Sequence, residues 1–128
     1  MSHFSICKIK IRNPNIELLK QAVEQLAKEL NGEIVTEIRD FAGNVRTDFL
    51  MAVKTPQLYR GVGIQVTERG EVKLVGDFWR VEYAAKVFEK NLVKTYTTLA
   101  LSQTLSQMGY RLNVQKAKEK VMIYAEAY

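Results

Sequence analysis

The sequence predicts an α+β domain: a largely antiparallel sheet with two helices packed on one face. Three observations carry that expectation. Only two stretches repeat their apolar residues at helical spacing, several short runs alternate with period two, and glycine-bearing turns join some of those runs as tight hairpins. At 128 residues and 47% apolar composition, the chain reads as a single domain, residues 1–128, whose core needs no metal or disulfide.

The first strand is predicted within His3-Phe4-Ser5-Ile6-Cys7-Lys8-Ile9-Lys10-Ile11-Arg12, which alternates with period two at its end. Cys7, Ile9 and Ile11 share one face and Lys8, Lys10 and Arg12 the other, as in a strand covered on one side. Phe4 and Ile6 fall on the basic face and mark a candidate contact between copies of the chain. Asn13-Pro14-Asn15 stops the strand, and Asn15 is placed to cap a helix, with Glu17 at the positive end of its dipole. Ile16, Leu19, Val23, Leu26 and Leu30 then form one helical stripe, closed at Asn31-Gly32 by the left-handed conformation that glycine adopts cheaply.

Glu33 to Phe41 alternates and reads as one strand, followed by a turn at Ala42-Gly43-Asn44. Phe49 to Val53 is an apolar run too short for a helix and reads as a central strand. Val62 to Thr67 and the run through Val72 and Leu74 flank Glu68-Arg69-Gly70-Glu71 as a hairpin. From Val81 to Met108 there is neither Gly nor Pro, and Ala84, Val87, Phe88, Leu92, Tyr96 and Leu99 recur at helical spacing. A helix of that length reaches about 42 Å, so it bends or overhangs so small a domain. Gly109 ends it, and two strands close the chain, one through Tyr110, Leu112 and Val114, the other through Val121 to Ala125.

The inventory of reactive groups is short. One cysteine (Cys7) and one histidine (His3) exclude a disulfide framework and Cys- or His-built metal centres, so no cofactor is expected. His3, Ser5 and Cys7 share a side of the first strand, but alternate positions lie about 6.5–7 Å apart, too far for a nucleophile–base contact without converging side chains. Gly61-Val62-Gly63 leads into a strand rather than a helix and so lacks the dinucleotide fingerprint. No apolar run approaches a membrane span and no signal-peptide core is present, so a cytoplasmic protein without a membrane partner is expected.

Two local features carry interaction chemistry. Asp77-Phe78-Trp79-Arg80 stands at the junction of strand and long helix. Two roles fit it: Asp77 caps the helix while Phe78 or Trp79 packs on its first turn, or Trp79 and Arg80 form an exposed anchor for another protein. The second feature is basic. The net charge of +5 divides into a surplus of one over residues 1–79 and of four over residues 80–128. Lys86, Lys90 and Lys94 recur every four residues along the long helix, and Lys116, Lys118 and Lys120 cluster in the last turn. With the tyrosines of that segment they make the groups a single-stranded nucleic acid would need.

Met1-Ser2-His3-Phe4-Ser5-Ile6, running through Lys8 and Lys10 to a capped helix, resembles the start of the hypothetical chloroplast reading frame thirty-five family. The resemblance continues at Leu74-Val75-Gly76-Asp77-Phe78-Trp79, Tyr96 and Gly109-Tyr110, and thus spans nearly the whole chain. Arg39 to Arg60 and Lys118-Glu119-Lys120 depart from the family's pattern. The resemblance implies no activity, cofactor or catalytic residue. It implies a small protein often encoded near AAA-type ATPases.

The expected function is therefore that of a non-enzymatic accessory or adaptor protein acting through protein contacts at Phe78, Trp79 and Arg80, with an AAA-type ATPase as a candidate partner. The alternative is single-stranded nucleic-acid binding through Lys86, Lys90, Lys94, Lys116, Lys118 and Lys120. A small enzyme using His3 or Asp77 is a third class.

Overall fold

A computed structural model describes residues 4–116 and 121–127, from Tyr110 onward by the backbone. The described elements run β1 (Ser5–Arg12), α1 (Ile16–Glu29), β2 (Glu33–Val35), β3 (Ile38–Arg39), β4 (Val45–Arg46), β5 (Met51–Lys54), β6 (Val62–Val66), β7 (Glu71–Gly76), α2 (Glu82–Gln107), β8 (Tyr110–Lys116) and β9 (Val121–Ala127). Five strands form one sheet in the order β1-β7-β6-β5-β2, with every pairing antiparallel. The expected α+β class is what the chain adopts.

The helix-facing side of the sheet is apolar by alternation. Ile9, Ile11, Val53, Val62, Ile64, Val72 and Leu74 meet Leu19, Val23 and Leu26 of α1 and Phe88 and Leu92 of α2 in the main core. α1 begins as its sequence dictates: the Asn15 side chain accepts from the Leu18 N–H at 3.2 Å, and the Asn15 N–H donates to the Tyr96 hydroxyl of α2 at 2.9 Å. Its closure differs from expectation. Asn31, at φ 55°, takes the left-handed conformation, whereas a Cβ on Gly32 would lie 2.6 Å from the Lys54 carbonyl oxygen. Gly32 is there for close approach to β5, not for handedness.

The predicted strand from Glu33 to Phe41 breaks in two. β2 pairs with β5, the chain bends at Thr36, and β3 pairs instead with β4. The break carries the β3–β4 hairpin across the outer face of the sheet. Ile38 packs there with Ala52 and Val75, bordered by Phe4, Val35 and Phe49. Gly63 makes room for this layer, because a Cβ on it would fall 2.3 Å from the Phe49 ring. One face thus carries both helices, and part of the other lies under a short hairpin that the sequence pattern did not announce.

α2 spans 26 residues, about 39 Å, and buries only Phe88, Leu92 and Thr95. Its contacts with the main core run as far as Leu99, and Leu101 and Met108 beyond are exposed. β8 and β9 pair with each other beside α2 and do not join the five-stranded sheet.

Candidate protein-contact site

The chain leaves β7 at Gly76 and enters α2 at Glu82, and the residues between form a built junction. Asp77 is 2% exposed by side chain and its carboxylate is committed to backbone donors. Oδ2 accepts from the Phe41 N–H at 2.7 Å and Oδ1 from the Trp79 N–H at 3.2 Å. Arg60, 8% exposed, reaches in from the loop before β6. Its Nε donates to the Asp77 carbonyl at 3.1 Å and stands 3.8 Å from Asp77 Oδ2, and its Nη2 donates to the Trp79 carbonyl. Nη1 donates to the Tyr59 hydroxyl at 2.7 Å.

The buried pair therefore clamps two stretches distant in sequence, the tip of the β3–β4 hairpin and the entry to α2. Asp77 does not cap α2. The cap position is Val81, which has no side-chain hydrogen bond to the helix. The carboxylate is instead spent on the turn and the hairpin tip.

Above this clamp sits an aromatic patch. Phe41, 66% exposed, meets Trp79 edge-on at 5.3 Å between centroids and 72° between planes. The Arg80 guanidinium lies 4.5 Å from the Trp79 centroid, and Tyr83, 82% exposed, follows in the first turn of α2. Arg80 has φ +64°, a left-handed backbone costly for a non-glycine residue. It makes no ion pair among the described residues. Trp79 is half-buried yet packs in neither apolar cluster, whereas Phe78 packs against the main core. The three expected contact residues thus divide: Phe78 packs against the main core, Trp79 is half-buried outside both clusters, and Arg80 is exposed.

Phe41 is held by its own turn. The Asp40 carboxylate accepts from the Asn44 N–H and from its side-chain amide, both at 2.8 Å. The amide bond, more than any other contact, lowers the Asp40 carboxyl below its ordinary range. Phe41 also borders a groove of about 620 Å³ lined by Val35, Thr36, Ile38, Tyr59 and Arg60. Phe41 and Arg60 were not singled out in the sequence. Ala42-Gly43-Asn44 signals the turn that raises Phe41, but nothing local marks Arg60.

The other expected residues are dispersed. Lys86 and Lys90 are exposed on α2, while Lys94 is half-buried, so the ridge does not continue outward for its full length. Lys116 lies in β8 by its backbone, and its side chain, like Lys118, Lys120 and His3, falls outside the described residues. Cys7 is exposed, with its thiol 3.9 Å from Glu89 Oε2. Partial burial, then the Glu89 charge, push the thiol's pKa up, which disfavours the nucleophilic thiolate. Among the described residues no three His, Cys, Asp or Glu side chains gather as a metal site, and no helix is long and apolar enough to cross a membrane. No family model, curated protein or solved structure matches the chain.

Proposed function

We propose that the chain is a non-enzymatic accessory protein of the cytoplasm that works by a protein contact centred on Phe41, Trp79 and Arg80. The observation that carries this reading is the division of labour at the junction. A buried Arg60–Asp77 clamp holds the backbone on both sides, and the aromatic and guanidinium groups beside it lie outside both apolar clusters. Trp and Arg dominate binding hot spots because they offer large contact area at small entropic cost once held in place. Asp77, the one junction group able to move a proton, is occupied by two backbone N–H groups and Arg60. The family resemblance makes an AAA-type ATPase the first partner to try.

The test is to compare wild-type chain with Trp79→Ala and Arg80→Ala as bait, using Lys90→Ala as control. Both patch variants lose a partner that wild type and the control retain, and Trp79→Ala costs only about 1 kcal/mol of stability, the worth of its ring contact with Phe41. If Trp79→Ala unfolds the domain, Trp79 belongs to the core and the reading fails.

A further inference from the structure

The outer face of the sheet carries a second feature that the patch does not use. The even-numbered residues of β1 turn away from the helices, and there Phe4, Ile6, Lys8, Lys10 and Arg12 form one row. Lys8 is the register partner of Lys73 on β7, so a fourth cation stands beside the row. Glu71 is the acidic residue of β7 on this face. It ion-pairs with Lys8 and is the register partner of Arg12. With the Arg46–Asp48 ion pair, which reaches this face at Phe4 and at Gln65 beside Lys73, five cations stand against two carboxylates, a surplus of three and over half of the chain's net +5. This is the part of the chain that, counted along the sequence, looked nearly neutral.

We propose that this face binds single-stranded nucleic acid, with the phosphates running along Lys8, Lys10 and Arg12 and with Lys73 beside them. Three features favour that occupant. Alternate positions of a regular strand lie about 6.5–7 Å apart, comparable with successive phosphates of an extended single strand, and the register shift between Lys8 and Arg12 bends this row. The row ends in Ile6, 57% exposed, against which a base can lie, beside the Arg46 guanidinium that covers the Phe4 ring at 5.7 Å. A peptide strand is the poorer occupant: β1 is an edge strand with a register shift between Lys8 and Arg12, and bulges with edge lysines are devices that repel added strands. The surface is independent of the Trp79 patch and differs from the α2 ridge.

The experiment is fluorescence anisotropy of a labelled oligothymidylate of about 15 nucleotides against the full chain, from low salt upward. Binding weakens with salt at a log–log slope of about −2 to −3, the value for three to four phosphates on a single strand. Lys10→Glu and Lys73→Glu, folded by circular dichroism, each weaken binding at least about tenfold and flatten the slope, while Lys90→Glu and Trp79→Ala change it less than about twofold. Polyglutamate of equal length binds at least about tenfold more weakly. Absence of binding at low salt overturns the proposal. So does an equal loss in Lys90→Glu, which assigns the site to α2, or equal affinity for polyglutamate, which assigns the face to an acidic protein.

Discussion

Arg60→Ala lowers the unfolding free energy by about 3–5 kcal/mol, the cost of removing one partner from a buried ionic contact. The substitution leaves the Asp77 carboxylate, 2% exposed, without the cation 3.8 Å away. It also strips the donors from the Asp77 and Trp79 carbonyls and from the Tyr59 hydroxyl. Arg60→Lys recovers only part of the loss, because an ammonium cannot reach three acceptors in the planar fork of a guanidinium. Asp77→Asn is milder than Arg60→Ala. It keeps a carbonyl oxygen for one of the two backbone donors and removes the charge that Arg60 neutralises. Urea unfolding followed by circular dichroism reads the difference as a midpoint shift of roughly 1–3 M for Arg60→Ala. A shift within error of wild type would show that the clamp contributes nothing.

Phe88→Ala costs a similar amount for a different reason. Phe88 is 1% exposed and is the largest fully buried side chain of α2. The helix fully buries only Phe88, Leu92 and Thr95 along 26 residues, so its hold on the sheet is concentrated in about two turns. Truncating the ring loses its transfer free energy and leaves a cavity in the main core, together about 3–5 kcal/mol. The melting temperature falls by roughly 10–20 °C. Leu101→Ala, farther along the same helix and exposed, changes stability by less than about 0.5 kcal/mol. Equal effects at the two positions would mean that the far end of α2 carries as much of the core as its middle.

What the sequence made legible is what local periodicity encodes. The two helices, the Asn15 cap, the β6–β7 hairpin and the burial of Ile9 and Ile11 follow from local pattern, whereas Cys7, expected on the same covered face, is exposed. The break between β2 and β3 does not, because Ile34, Thr36 and Ile38 keep the alternation of one continuous strand. What splits them is the second apolar layer, which takes Ile38 to the face opposite the main core. The candidate site shows the same limit. Asp77, Trp79 and Arg80 are adjacent and stand out, but their meaning depends on Arg60, 17 residues from Asp77, and on Phe41, 36 residues from it. The basic face follows a related rule: β1 displays its lysines in the sequence, yet only the register with β7 brings Lys73 alongside them.

Trp79 is the sole tryptophan of the chain, so its emission reports on the patch without labelling. The most direct measurement is to titrate the partner retained by wild type, and chosen for lacking tryptophan or substituted to lack it, into the purified chain. Emission and acrylamide quenching are read in parallel with binding. The account predicts a shift of the emission to shorter wavelength and a fall in quenching as the complex forms, since the indole exchanges water for the partner's surface. Saturable binding that leaves both the emission and the quenching of Trp79 unchanged would contradict it.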